Sequence, residues 1–335
     1  MRKVIIFGNG LGRSLNNDYF NLQSALQTAW DDPEVLSNEQ KQLIWQCLPD
    51  EVLEGTSISA PSSEEELDRL QRVLAACDEI AKCELPGGPG WLNDHGKAFP
   101  FAIRSYIHRA ACYFHQSPDV LPKAFVEPLI SHVSNARSHI ATLNYDELLY
   151  RAFISTDVFS GYSCMIDGFV PDFANENLIR HKPSTQSFYL HLHGSPLYYL
   201  ATNGSLQKSA LSHLPAIQGH SSTHLVLTEV KHKVSVINAS PILRSYWQRL
   251  DEAMTEASGL ILFGYGGGDI HLNQMITRHF SNKQIEIVER RHDEYSTVEG
   301  ETARFRFWTD KIGSTPVCHW HQNILDHTNW DWIRT

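Results

Sequence analysis

Two short runs in this chain bring together side chains that could do chemistry. In Ile140-Ala141-Thr142-Leu143-Asn144-Tyr145-Asp146 an apolar stretch ends in an amide and a carboxylate, which lie on one side of the chain if it stays extended. An amide both donates and accepts hydrogen bonds and a carboxylate accepts two, so the pair suits vicinal hydroxyls such as those of a ribose. The plainer reading makes Asn144 the opening of a turn and Asp146 the cap of a helix that begins near Glu147. In Tyr189-Leu190-His191-Leu192-His193-Gly194-Ser195 two imidazoles alternate with leucines and share a face, and Gly194-Ser195 then allows a close turn. A strand histidine is most often a hydrogen-bonded core group, which fits His191 better than the terminal His193. H-x-H can also chelate a metal, but no H-E-x-x-H or C-x-x-C supplies the remaining ligands, and with 18 histidines local coincidences are expected.

Two glycine-rich exits follow other apolar runs. Gly8-Asn9-Gly10-Leu11-Gly12 comes directly after Lys3-Val4-Ile5-Ile6-Phe7, where glycines let backbone approach a phosphate and a following helix offers its N–H groups. No third glycine completes G-x-G-x-x-G, so a tight structural turn weighs equally with a phosphate site. The second exit, Phe263-Gly264-Tyr265-Gly266-Gly267-Gly268-Asp269, is more specific, because four glycines within five residues carry an entropic penalty that an ordinary turn need not incur. A nucleotide lying across the backbone is a sufficient reason. Glu289, at the end of a further apolar run, could hold an adenosine ribose hydroxyl.

The elements that must position these groups follow from periodicity. Short continuous apolar runs at 3–7, 139–143, 188–192, 224–228, 259–263 and 284–288 read as strands buried on both faces of a mainly parallel sheet. Residues 242–257, with Leu243, Trp247, Leu250 and Met254 on one stripe, supply a crossover helix. Helical spacing at 37–47, 64–83, 98–115 and 124–133, with Ser62 or Ser63 as a capped start, marks residues 17–138 as a helical insertion, a lid or an oligomer contact. Residues 157–186 read as a long loop over the site. The expected fold is α/β, a Rossmann-like mainly parallel sheet with helices on both faces, formed by residues 1–16 and 139–335 around that insertion. The tail from Val317, with Trp320, Trp330 and Trp332, is too aromatic for a disordered segment and should pack back.

A chain of 335 residues with 42% hydrophobic residues can build a large core. Its net charge of −10 gives no general attraction to nucleic acid or anionic lipid, so direct binding to either is not expected. No apolar run is long enough to cross a bilayer and no signal-peptide pattern is visible, which gives a cytoplasmic expectation. The six cysteines form no C-x-x-C pair and are expected as reduced core thiols.

Taken in order, G-N-G, T-L-N-Y-D, H-L-H-G-S, Val226-Leu227-Thr228-Glu229 and F-G-Y-G-G-G-D followed by Ile270-His271-Leu272-Asn273 resemble the sirtuin-like domains of bacterial anti-phage defence proteins. The resemblance covers residues 1–16 and 139 to about 290. It implies that Asn144 and His193 are catalytic, and that Gly8, Asn9, Gly10, Asp146, Gly194, Ser195, Gly264, Tyr265, Gly266, Asp269 and Glu289 lie in NAD-binding regions. The zinc-binding cysteine pairs of protein-deacylating sirtuins are missing, so the implied reaction is hydrolysis of NAD itself, with no metal. A NAD-depleting defence effector implies control by homo-oligomerisation or by a partner such as a nucleic-acid translocase ATPase. Two alternatives remain: a non-catalytic module that senses ADP-ribose-type nucleotides or acts as a scaffold, and a metal-dependent hydrolase.

Overall fold

Hydrophobic runs rich in β-branched residues become strands and the stretches of helical period become helices. A computed structural model describes residues 1–48, 58–83, 90, 92–159, 165–209, 224–226, 237–238, 240–293 and 297–331. In chain order its elements are β1 (Lys3–Phe7), α1 (Gly10–Leu15), α2 (Leu22–Asp31), α3 (Asn38–Gln46), α4 (Glu64–Lys82), α5 (Asp94–His115), α6 (Lys123–Ala136), β2 (His139–Thr142), α7 (Leu148–Ile154), β3 (Met165–Ile166), β4 (Ser187–His191), β5 (Tyr198–Leu200), β6 (Leu206–Lys208), α8 (Pro241–Glu256), β7 (Gly259–Phe263), α9 (Ile270–Phe280), β8 (Gln284–Arg290), α10 (Val298–Ile312) and β9 (Val317–His321). The chain forms two compact units, the first from Met1–Asn17, Pro118–His193 and Pro241–Thr335, the second from Asp18–Ser117 and Gly194–Ser240.

The first unit holds a seven-stranded sheet of order β3-β4-β2-β1-β7-β8-β9, in which every pairing is parallel. Every residue of β1, β4 and β7 is buried, so the sheet is covered on both faces, the condition that selects continuous apolar runs over alternating ones. This is the expected α/β, Rossmann-like architecture. From β1 the chain adds β2 beside it, goes out to β3 at the edge and comes back to insert β4 between β2 and β3, then crosses to the other side of β1 with β7, β8 and β9. The order therefore reverses at β1 and β7, where open α/β sheets leave a crevice at the carboxyl ends of their strands. Phe7 is level with Thr142 and Phe263, Thr142 with His191, and Phe263 with Val288, so five strand exits share one edge.

On α8, Leu243, Trp247, Leu250 and Met254 are all buried, the stripe the spacing predicts. The tail packs back as expected: the Trp330 ring lies 5.5 Å from Phe263 and 5.6 Å from Phe125, while β9 extends the sheet beside β8. Trp332 lies outside the described residues. In the second unit, α3 starts with a Ser37/Gln40 capping box, and Ser63 Oγ accepts from Glu66 N–H at the start of α4. The Tyr106 hydroxyl of α5 donates to Leu26 O of α2 at 3.2 Å.

Several expectations need correction. Residues 224–226 form no strand, and 227–228 lie outside the described residues. Leu225 and Val226 are buried without a ladder, and a short apolar run alone cannot tell these cases apart. Helix α6 joins the sheet unit, while residues 194–240 join the helical one, so the second unit is drawn from two stretches of chain rather than one. Helix α2, the hairpin β5–β6, β3 and β9 were not anticipated. Residues 157–186, expected as one long loop, hold two short 3₁₀ turns as well as β3. Of the expected core thiols only Cys112 is buried; Cys83 is exposed, Cys47, Cys77 and Cys318 are half-buried, and Cys164 lies outside the described residues. No helix among the described residues is long and apolar enough to cross a membrane.

Candidate functional site

Sheet register brings the two motifs together. Asn144 and His193 each stand two residues beyond the paired Thr142 and His191, on the exits of neighbouring parallel strands β2 and β4. Pairing continues past the strands, with Leu143 N–H donating to Phe7 O and Leu192 N–H to Thr142 O, both at 2.9 Å. Asn144 N–H then donates to Thr142 Oγ1 at 3.1 Å, which fixes the backbone under its side chain. That side chain is buried, with 5% of the residue exposed, and neither Nδ2 nor Oδ1 has a hydrogen-bond partner among the described residues. A buried polar group left unpaired costs about 1–3 kcal/mol, and both atoms of this amide could serve a ligand.

His193 is held by groups from two other elements. Its Nε2 lies 3.2 Å from Asp269 Oδ2, and its ring centroid lies 6.2 Å from that of Tyr145. The Trp247 indole N–H of α8 donates to Leu192 O at 3.0 Å, immediately before the histidine. Asp269 is the N-cap of α9, and its Oδ1 accepts from Leu272 N–H at 3.1 Å. The loop leading to it is tied to itself: the Tyr265 hydroxyl accepts from Asp269 N–H at 2.9 Å and lies 2.9 Å from Asn273 Oδ1, while Asn273 Nδ2 donates to Gly267 O. Tyr265 is thus a buried structural hub.

The two glycine loops are glycine-rich for different reasons. A Cβ on Gly8 would sit 2.7 Å from Gly264 O, and one on Gly10 would sit 2.6 Å from Gly264 Cα, so these glycines are required by the close crossing of two backbones. Gly10 N–H donates to Gly264 O there at 2.9 Å. Gly266 and Gly268 are different, because a Cβ on either would meet none of the described residues within 4 Å. The described residues give no steric reason for the absence of side chains there, and bare backbone N–H groups in such a loop suit a phosphate.

The remaining expected site residues divide as follows. Asp146 Oδ1 accepts from Leu148 N–H at 3.0 Å; the helix begins at Leu148 with Glu147 as its N-cap, so Asp146 braces the helix start from one residue ahead of the cap. Asn9 is the exposed residue before α1, and its side chain makes no capping bond. Gly194 and Ser195 open the second stretch of the second unit, where each has a local reason: a Cβ on Gly194 would strike His224 O, and Ser195 Oγ accepts from Leu197 N–H at 3.2 Å. Glu289 is taken up by the fold, its carboxylate accepting from Arg304, from Trp320 Nε1 at 2.8 Å and from Trp308 Nε1 at 3.4 Å. His191 is buried beside Tyr189 and Tyr150, as its core reading predicts. Sequence reasoning missed Trp247 as a contact to the histidine turn and the pairing of Asp269 with His193; both join residues far apart in the chain and leave no local signal.

No group of three or more His, Cys, Asp or Glu able to hold a metal ion occurs among the described residues. The family model for the SIR2-like domain matches residues 138–316. No curated protein matches the chain.

Proposed function

The chain belongs to the SIR2-like domain family, whose domains bind NAD, and on that premise we propose that it is a NAD⁺ glycohydrolase releasing nicotinamide and ADP-ribose. The observation that carries this reading is the buried, unpaired amide of Asn144 beside His193 at the sheet's carboxyl edge. A ribose hydroxyl or an attacking water would satisfy both amide atoms, and the open backbone at Gly266 and Gly268 would receive phosphate.

Breaking the bond between C1′ and the nicotinamide nitrogen sends the bonding pair to the leaving group, which departs neutral, and leaves an oxocarbenium-like ribose. Such a transition state needs positioning and electrostatic support more than a strong acid. His193 takes the proton of the attacking water or of a ribose hydroxyl, and Asn144 orients that group. Water adds at C1′, and one proton is released per turnover.

Because uncontrolled hydrolysis would drain its own cell of NAD, the reading includes a gate, through homo-oligomerisation or a partner such as a nucleic-acid translocase ATPase. It also includes a NAD-depleting role in anti-phage defence, supported by the motif resemblance. The test is nicotinamide release from NAD⁺ by the purified full chain, alone and with co-purifying proteins. Release should be detected, and should fall by about 10²- to 10³-fold in Asn144→Ala and in His193→Ala while both variants keep the wild-type melting curve. No release under either condition, or full release by either variant, overturns it.

A further inference from the structure

His193 and Asp269 come from the exits of β4 and β7 and meet through one hydrogen-bond distance, His193 Nε2 to Asp269 Oδ2 at 3.2 Å. Both are largely buried, the two side chains being 12% and 4% exposed. Asp269 already has a task, since its Oδ1 caps α9 through Leu272 N–H. Capping alone does not call for a carboxylate: serine, threonine and asparagine serve as well at that position. Only a carboxylate can accept at both ends, from a backbone N–H on one oxygen and from an imidazole N–H on the other.

The backbone that carries His193 needs no help from Asp269 to stay in place. Leu192 is fastened on both sides, its N–H donating to Thr142 O and its carbonyl accepting from Trp247 Nε1. What remains to be set is the state of the ring. A neutral imidazole carries one proton on one of two nitrogens, and an acceptor at Nε2 holds the proton there, which makes Nδ1 the basic nitrogen.

We propose that Asp269 is a positioning residue that locks His193 in its Nε2–H tautomer and steadies the imidazolium formed when Nδ1 takes a proton. Both roles come from one side chain that also starts a helix. The role rests on the hydrolase reading, but the tautomer itself can be measured without turnover.

Asp269→Asn separates the cap from the acceptor. Its amide oxygen still accepts from Leu272 N–H, while its NH₂ replaces the oxygen that faced Nε2 and can only donate, which drives the ring proton to Nδ1. The imidazole ¹⁵N resonances of His193, assigned by their loss in His193→Gln, should show Nε2–H in the wild type and Nδ1–H in Asp269→Asn. Nicotinamide release should fall about 10- to 10²-fold, less than in His193→Ala because Asp269 acts through that ring, mostly in kcat, with KM for NAD⁺ and the melting curve nearly unchanged. An Nδ1–H wild type, an unchanged tautomer in the variant, or turnover within about threefold of wild type overturns the assignment. A wild type that shows the Nε2–H signature yet never releases nicotinamide, alone or with its partners, sinks the hydrolase reading instead and leaves the pairing measured.

Discussion

Strands β2 and β4 begin and end in polar groups, but the two ends of the sheet treat those groups in opposite ways. At the amino edge His139 Nδ1 accepts from Phe188 N–H at 3.0 Å and its Nε2 donates to Glu256 Oε1 at 2.5 Å. Glu256 also accepts from both terminal nitrogens of Arg180 and from Arg2, while the Arg180 guanidinium lies 4.5 Å over the Phe188 ring. The charges there are paired within the fold. At the carboxyl edge Asn144 is equally buried and its amide is paired with nothing among the described residues. His139 and Arg180 are buried much as Asn144 is, and apart from Arg180 Nε their polar atoms are satisfied within the fold; that satisfaction separates them from the Asn144 amide, of which neither atom is paired among the described residues.

The sharpest way to break this contrast is to truncate one residue at each end. Asn144→Ala should lower release by about 10²- to 10³-fold while leaving the unfolding free energy unchanged or slightly raised, because it removes an amide that is buried with no partner among the described residues. Glu256→Ala should do the reverse. It leaves the Arg180 guanidinium, 4% exposed, without its main partner and should cost about 2 kcal/mol. That is less than a fully buried pair would lose, since 29% of the Glu256 side chain is in water. Its kcat should stay at wild type. Denaturant unfolding and nicotinamide release on both variants decide the matter; a stability loss of about 2 kcal/mol in Asn144→Ala would erase the distinction.

The amino edge should also have a pH signature. Burial, only partly offset by Glu256, pushes His139 down to about 4; away from that edge, beside the ends of β7 and β9, burial together with the His321 and His319 charges brings His327 down to about 4. An unfolded histidine titrates near 6.5. Between pH 6.5 and 4 the unfolded chain therefore takes up protons that the folded chain refuses, and stability falls as pH is lowered through that window. Glu256 acts lower down. Burial alone would raise its carboxyl, but His139 and Arg180 outweigh that and bring it to about 2, so its contribution is full above the usual carboxylate range and is lost as pH falls toward 2. Unfolding free energies at pH 7 and pH 5 should differ measurably, and because burial also brings His224 to about 4 and lowers His108, His132 and His321, His139→Gln should remove about a third of the difference or less. Equal stability at the two pH values would count against a neutral His139.

Most of the sheet unit was legible in the sequence because buried parallel strands advertise themselves as unbroken apolar runs, and residues 259–263 match β7 end for end. Asn144 and His193 could be picked out because each stands where such a run stops. Less local features were hidden. The partition of residues 118–138 and 194–240 depends on tertiary packing, and β9 reads as an aromatic tail, its residues mostly half-buried at the sheet's edge. Glu289 ends an apolar run just as Asn144 nearly does, yet Arg304, Trp308 and Trp320 reach it from α10 and β9, which no spacing rule could foresee. Gly8 and Gly10 carried a phosphate-like signature for a steric reason supplied by Gly264, more than two hundred residues away.

That last case suggests the smallest and most selective experiment, since it contrasts two glycine loops along the same edge. An alanine at Gly266 has open space around its Cβ and a backbone outside the left-handed region, so the native structure can accept it. Removing a glycine then narrows the unfolded ensemble and should raise stability by about 0.5 kcal/mol. If the bare loop exists to let phosphate approach, the same methyl group lies in the phosphate's path. Breaking or stretching one charge-assisted hydrogen bond raises KM for NAD⁺ about tenfold, with little change in kcat. The two readouts move in opposite directions, which a general loosening of the loop could not produce. A Gly266→Ala variant that is more stable and binds NAD⁺ as well as wild type would show that the gap in the loop is empty for some other reason, and would leave Asn144 and His193 to carry the ligand at that edge.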